Sequence, residues 1–449
     1  MIDFKKITTA QICLRNQLAG ILKRVSEVEY SFQYDSSYLQ KSKIQIATSL
    51  PLREEAYKSK KLHSFFDNLI AEGWLLHHTE KVFHIDKANR FALLMATGNA
   101  PIGAVTVHPL DASGKIIDFI NLFRDDLDSK KMSLYTAATM TNFVRCPGCL
   151  RPSPLGITHK KCALEMWGTT RKIRVELDPR APLNSFARVV YGGSISGAQK
   201  KGLFHFNESK GVLSPTPTGA QYILKPMGDY PELPQNEHVT MAIAKELGFE
   251  VPSFTILNIE KIGFIFAIKR FDRENDEPLM LEDMGQVINV PSADKYDASY
   301  EKVAKAIALY SSAPPIDLNL FFRRLIFSYF IANADMHLKN WSLLENAKAL
   351  GTYKLSPCYD FLNTRLPIPS EKIDIGLTLN GKLSNLKRSY FIDFGTKIGL
   401  SAKAIDKVFS EIDNWWRVTE DFVTHCLLTE DSKSKYLKIV KARHKILRG

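Results

Sequence analysis

The sequence predicts an α+β chain in which a small α+β unit precedes a strand-rich lobe and then a helix-rich lobe. Three observations predict it. Short β-like runs such as Glu29–Tyr34 alternate with turns up to Ala104–Val107. From Lys172 the texture becomes strands separated by Gly and Pro. After about residue 295 apolar residues recur every three or four positions. At 449 residues, 45% hydrophobic and 24% charged, the chain is long and apolar enough for two or three packed domains.

In order, residues 1–110 form the first unit, with a helix expected over Phe65–Leu75. Residues 111–170 read as a connector, polar at first (Asp125, Asp126, Lys130, Lys131) and then rich in metal-ligating side chains. Residues 171–290 form the strand lobe, with runs at Phe186–Tyr191, Gly202–Phe206, Tyr222–Leu224, Ser253–Leu257 and Ile262–Ile268. One helix interrupts them over Glu237–Leu247, where Val239, Ile243 and Leu247 share a face and Gly248 provides a stop. Residues 291–449 carry helices over Lys302–Tyr310, Leu318–Ala332, Ala402–Trp416 and Ser434–Leu447, and no internal repeat is visible.

Sixty Lys and Arg against 48 Asp and Glu give a formal charge of +12, a bias toward acidic partners such as nucleotides, nucleic acids or acidic proteins. The basic residues are scattered in small groups, as on an ordinary solvated surface. The N-terminal MIDFKKITTAQICL lacks the apolar core of a signal peptide, and the most apolar later stretch, Leu318–Ala334, is broken by Arg323 and Arg324. The expectation is a cytoplasmic protein without membrane spans. Six cysteines in so long a chain are too few for a disulfide scaffold. Four donors stand out: Cys146-Pro-Gly-Cys149 and His159-Lys-Lys-Cys162 supply C-x-x-C and H-x-x-C pairs suited to a tetrahedral zinc, with free thiols packed in a small knob as the competing reading.

Phosphoryl transfer needs a pliable backbone over the phosphates, a cation on their oxygens, hard ligands for magnesium and a carboxylate for the attacking hydroxyl. The chain offers these in order. Gly192–Gly202 is a small-residue turn between two β-like runs. Lys225 follows the run Tyr222-Ile-Leu224, and Glu237, at the expected start of the helix, could pair with it or simply favour the helix N-terminus. Asp335-Met-His-Leu-Lys-Asn340 has the D-x-x-x-x-N spacing that lets an Asp face a substrate hydroxyl while an Asn reaches the metal, and Lys339 could neutralise the transferring group. Asp360, 20 residues past Asn340 beside Pro357, is the expected magnesium ligand. Asp393-Phe-Gly395 spells a familiar metal motif but lies 53 residues past Asn340 in a helical stretch, and is set aside.

Nearly the whole chain resembles the HipA-type toxin kinases, and a strand-rich lobe before a helical lobe is the order of a two-lobed protein-kinase-like fold. Ser194-Ile-Ser-Gly-Ala-Gln-Lys-Lys201 resembles their phosphate loop, Ile223-Leu-Lys-Pro226 the nucleotide lysine, Asn236-Glu-His238 the next helix start, and Lys269-Arg-Phe-Asp-Arg273 the adenine-binding hinge. Asn333–Asn340 is similar to the catalytic loop and Ser356–Asp360 to the metal motif. Leu50–Glu55, Phe65-Phe-Asp-Asn68 and Glu72-Gly-Trp74 resemble the family's N-terminal subdomain. The resemblance implies ATP and Mg²⁺ as cofactors, with Gly197, Ala198, Lys201, Lys225, Glu237, Lys269, Phe271 and His337 binding nucleotide, Asp335 and Lys339 catalytic, and Asn340 and Asp360 holding metal. It also implies a serine/threonine kinase toxin that phosphorylates an aminoacyl-tRNA synthetase and halts translation, and a HipB-like antitoxin that brings it to DNA. Autophosphorylation at Ser194 or Ser196 is implied, in the manner of the HipT branch. In that branch a separate HipS subunit restrains the kinase, so residues 1–110 resemble a fused HipS. One departure is Leu281, where the family often has a polar residue before Glu282-Asp283, so no nucleotide role is assigned there.

Two other classes are compatible with the sequence: a weakly active ATP-binding scaffold that acts as corepressor with an antitoxin, and a nucleic-acid-binding module using its basic surface. Intact Asp335, Asn340 and Asp360 argue against the first. The lack of an aromatic-and-basic platform argues against the second.

Overall fold

The computed structural model describes residues 2–118, 132–138, 140, 143–190 and 199–449. The polar run with Asp125, Asp126, Lys130 and Lys131 lies outside them, as do Ser194, Ser196, Gly197 and Ala198.

The N-terminal unit is an antiparallel sheet of β1 (Thr9–Leu14), β2 (Gln17–Ser26), β3 (Glu29–Tyr34), β4 (Tyr57–Ser59) and β5 (Val105–Pro109), in the order β4-β3-β2-β1-β5. Arg15 and Asn16, both at positive φ, join β1 to β2 in a two-residue turn whose twist suits a hairpin. Helices α1 (Ser36–Lys41), α2 (Ser64–Asn68), α3 (Gly73–Phe83) and α4 (Arg90–Thr97) complete it. The single helix expected over Phe65–Leu75 is therefore two, and the break between them carries Glu72 into the interior.

The first lobe of the larger body is a seven-stranded sheet of β6 (Ser133–Thr136), β7 (Arg174–Leu177), β8 (Gly202–Asn207), β9 (Val212–Pro215), β10 (Tyr222–Pro226), β11 (Phe254–Ile259) and β12 (Gly263–Lys269), in the order β11-β12-β10-β8-β9-β7-β6. Only the β7–β9 pairing is parallel. Helix α5 (Lys160–Trp167) precedes β7, and α6 (Leu233–Glu246) packs against β11 and β12. Helix α6 begins one turn before the expected Glu237, because Pro234 fits a helix's first turn, where no N–H is needed. The strand expected over Phe186–Tyr191 is instead a 3₁₀ segment, Pro182–Val190, started by proline.

The second lobe holds β15 (Leu281–Asp283, after the small hairpin of β13, Arg273–Glu274, and β14, Glu277–Pro278), paired with β16 (Ser342–Asn346) and β17 (Ala349–Leu355). Around them lie α7 (Met284–Val287), α8 (Tyr300–Tyr310), α9 (Pro314–Phe330), α10 (Arg388–Lys397), α11 (Ala402–Ser410), α12 (Ile412–Thr424) and α13 (Glu430–Arg448). The helix expected over Ala402–Trp416 breaks at Glu411, whose N–H donates to the Val408 carbonyl three residues back at 3.2 Å.

One apolar core runs from Phe4 and Phe66 of the first unit through Met241 and Ile243 of α6 to Phe327 and Trp415. A second, around Trp167, Phe204 and Tyr222, lies under the seven-stranded sheet. Among the described residues no helix is long and apolar enough to cross a membrane.

Candidate active site

A cleft of about 140 Å³ opens where the two lobes and the N-terminal unit meet. Strand β10 brings Lys225 to its floor. Lys225 is 3% exposed, and its ammonium bonds Glu237 Oε1 of α6 at 2.6 Å and Asp360 Oδ1 at 2.5 Å. Burial opposes the charge on Lys225, yet the Asp360 and Glu237 carboxylates hold its pKa above the usual lysine range. For Asp360, burial alone would raise the pKa; Lys225 and then Lys201 overcome it and hold the group ionised. Lys201 is buried on the same wall, its pKa lowered by burial against the pull of Asp360.

Asp360 sits at φ 55°, a left-handed conformation that costs a non-glycine residue roughly 1 kcal/mol. Two asparagines hold it there. Asn333 Nδ2 donates to the Asp360 carbonyl at 3.0 Å, and Asn236 of α6 exchanges two hydrogen bonds with the Asn363 backbone at 2.8 and 3.0 Å. The helix that pairs Lys225 therefore also locates the segment carrying Asp360.

The loop Asn333–Asn340 leaves α9 through Ala332, also at positive φ. The Asp335 amide donates to Asn333 Oδ1 at 3.1 Å, and Asn340 Nδ2 donates to the Asp335 carbonyl at 2.7 Å. That bond engages the Asn340 amide nitrogen and leaves Oδ1 as the amide's ligand atom; Asn340 and Asp360 both line the cleft. The Asp335 side chain is half exposed and accepts a hydrogen bond from Tyr296 Oη at 2.5 Å. One carboxylate oxygen is thus anchored while the group remains open to a substrate.

Further from the charges the cleft is apolar, lined by Ile223, Ile268, Leu281 and Phe271, with Phe271 stacked on Tyr359 at 5.5 Å. Leu281, given no nucleotide role from the sequence, forms part of this slot, and Lys269 lies at its rim. Leu69 and Ile102 of the N-terminal unit close it.

Lys339 and His337 have surroundings the sequence did not announce. Lys339 lines the cleft, as its expected place beside a transferring phosphoryl group requires, and its ammonium is held among Asn68 O (2.9 Å), Asn68 Oδ1 (3.0 Å), Asp283 Oδ2 (3.2 Å) and Glu72 Oε1 (3.7 Å). Glu72 in turn has its carboxyl brought to about 2, because Lys339 and Lys295 outweigh the effect of burial. With three acceptor side chains around it, Lys339 clasps the N-terminal unit to the loop Asn333–Asn340. His337 is buried behind the loop, edge-on to Tyr296, and burial brings its pKa to about 4, so the imidazole is neutral; it does not line the cleft. Asp393, set aside from the sequence, lies on the exposed face of α10 away from the cleft.

Tyr296 and Glu72 were missed as site residues because each reaches its partner across a separation without local spacing. Asn236, by contrast, stands in the quoted helix-start motif and could have been read as a brace. The four ligand atoms of Cys146, Cys149, His159 and Cys162 also come together, within 4.8 Å of one another, as a cluster able to hold a metal.

The family model for the HipA-like C-terminal domain matches residues 193–417, and that for the HipA N-terminal domain matches 10–108. The chain belongs to the HipA-type kinase family. Its HipA relatives include a Sinorhizobium fredii protein named "Putative kinase Y4dM", 25% identical over 89% of this chain and 88% of that one. A Haemophilus influenzae protein named "Putative kinase" is 30% identical, covering 50% of this chain and 74% of its own length. The solved structure of HipA from Shewanella oneidensis, in a toxin–antitoxin complex with HipB and operator DNA, superposes with a TM-score of 0.68 at 18% identity, covering 97% of this chain and 96% of that one. The α+β, two-lobed kinase-like fold is thus the fold of the family.

Proposed function

We propose that the chain is an ATP- and magnesium-dependent protein kinase that phosphorylates serine or threonine. The observation that carries the proposal is the Lys225–Glu237–Asp360 cluster, whose Lys225 and Asp360 line one cleft with Asn340, while Asp335, tied to Asn340 through its own carbonyl, presents a half-exposed carboxylate. In this reading the apolar slot around Phe271, Leu281 and Tyr359 takes the adenine, and Lys225 and Lys201 take phosphate oxygens. Asp335 orients the substrate hydroxyl and receives its proton as the new O–P bond forms and the bond to the β-phosphate oxygen breaks, releasing ADP. The carboxylate of Asp360 and the amide oxygen of Asn340 are hard donors of the kind magnesium prefers, and a bound ion would neutralise charge on the phosphates.

The proposal extends to a toxin of a HipBA- or HipBST-like system with a HipB-like DNA-binding partner, supported by the assembly of the Shewanella protein with HipB and operator DNA. An aminoacyl-tRNA synthetase as substrate and Ser194 or Ser196 as the autophosphorylation site rest on the sequence resemblance. Incubation with labelled ATP and magnesium should label the protein itself, and Asp335→Asn should abolish the label. No label on the wild type, or equal label on the variant, defeats the kinase reading.

A further inference from the structure

Outside the cleft, Cys146, Cys149, His159 and Cys162 converge on one small volume. The turn Cys146–Leu150 supplies two of them, His159 precedes α5, and Cys162 lies in its first turn. Two backbone donors favour charge on the Cys146 sulfur. The backbone N–H groups of Gly148 and His159 donate to Cys146 Sγ at 3.4 and 3.2 Å. His159 Nε2 lies 3.0 Å from the Pro152 carbonyl, which can only accept, so Nε2 carries the hydrogen. The lone pair of Nδ1 then faces the cysteines, 3.4 Å from Cys149 Sγ, in the orientation a second-shell carbonyl imposes on a metal-bound imidazole. Gly148 is packed so closely that a Cβ there would lie 2.8 Å from the Cys162 Cβ. Cys146 and Cys162 are buried, but Cys149 and His159 are partly exposed, so the four atoms lie at the edge of the fold rather than deep in an apolar core, where inert thiols usually pack.

The same turn braces α6. The Pro147 carbonyl accepts a hydrogen bond from His238 Nε2 at 2.6 Å, and His238 is fully buried beside Glu237. Arg151 pairs with Glu246 at 2.9 Å and Glu165 with Lys245 at 3.5 Å, so both halves of the cysteine module reach the end of that helix.

We propose that Cys146, Cys149, His159 and Cys162 bind one structural zinc ion in a tetrahedral S₃N set, and that the ion holds the Pro147 turn as a brace on α6. Coordinating thiols release their protons to solvent on binding. The metal site stands independently of the kinase reading; the brace matters to that reading because α6 carries the partner of Lys225.

The test uses the full chain purified without metal resin or chelator. Elemental analysis should find zinc equimolar with protein, and Cys149→Ser should lower the content by about tenfold or more. Cys426→Ser, a buried cysteine elsewhere, should keep it. Cobalt substitution should give the visible absorption of tetrahedral thiolate coordination. Withdrawing zinc from the wild type with a chelator should speed amide hydrogen exchange over residues 233–246 by about tenfold, and returning zinc should reverse it. Absence of zinc together with absence of a cobalt spectrum, or zinc content indifferent to Cys149→Ser, overturns the site. Reversible zinc loss with unchanged exchange over 233–246 overturns the brace. The chelator arm needs no variant to fold.

Discussion

Glu282 is buried to 1% exposure at the seam between the N-terminal unit and the larger body, where it accepts hydrogen bonds from the Thr48 amide at 2.8 Å and the Thr48 hydroxyl at 3.1 Å. Burial raises its carboxyl to about 8, since neither partner carries a charge to compensate. In the unfolded chain the group releases its proton near the ordinary glutamate value, about 4.3. Between these values the folded chain binds more protons than the unfolded one, so stability is fullest below the lower value and is lost as pH rises toward the upper. The expected slope is roughly 1.4 kcal/mol per pH unit at most. Urea unfolding at about pH 5.5 and about pH 7.5 should show the wild type losing stability relative to Glu282→Gln, whose amide does not titrate. Parallel pH profiles for the two chains would refute the assignment. The Glu282-Asp283 pair was visible in the sequence, but its partner Thr48 is 234 positions away and nothing local announces it. The residues legible in the sequence, Asp335, Asn340 and Lys225, are those whose chemistry fixes a short spacing or a place on a strand. The ion pairs of Lys339 were not legible for the opposite reason: its surroundings come from Asn68, Glu72 and Asp283, far away in the chain.

At the scale of elements, the loop Asn333–Asn340 depends on a neighbour that no motif marks. Gly376 lies against it so closely that a Cβ would fall 2.6 Å from the Met336 carbonyl carbon, 2.7 Å from the Met336 nitrogen and 2.9 Å from the His337 nitrogen. These are backbone atoms and cannot swing aside, while the φ of Gly376 is one that alanine can adopt. Gly376→Ala should therefore displace the loop rather than break the fold. On the kinase reading, turnover should fall about tenfold to hundredfold, the scale of a sub-ångström to 1 Å misplacement, with a stability cost of about 1–3 kcal/mol. Steady-state kinetics beside urea unfolding separates the two; unchanged turnover would show that the loop tolerates the shift. Helices and strands were largely legible, as with the period of Val239, Ile243 and Leu247 on α6. What escaped was where regular structure stops: the Pro182–Val190 segment and the break at Leu69–Glu72 are set by proline and by long-range docking, neither of which disturbs apolar spacing.

For the whole molecule, the order of the units was legible but their dependence on one another was not. If residues 1–110 restrain the chain as a fused HipS-like subunit, removing them should give a more toxic kinase. The contacts argue for the opposite sign. Leu69 and Ile102 wall the apolar slot, the Gly103 amide bonds Asp272 at 2.8 Å, and Arg15 pairs with Glu345 of β16. Glu72 and Asn68 supply acceptors to Lys339, and the apolar core passes unbroken from Phe65 and Phe66 into Met280 and Met284. Deletion would leave Glu282 without Thr48 and Lys339 with Asp283 alone among its acceptors at a newly wetted surface, and would open one side of the slot. The chain of residues 111–449 should bind a fluorescent ATP analogue at least about tenfold more weakly than the full chain, a loss of about 1.4 kcal/mol, and should expose apolar surface to a dye such as ANS. Adding residues 1–110 in trans should restore both. Greater labelling and toxicity from the shortened chain, with nucleotide affinity intact, would favour restraint over support, because a unit that merely blocks the site leaves the slot whole when it departs.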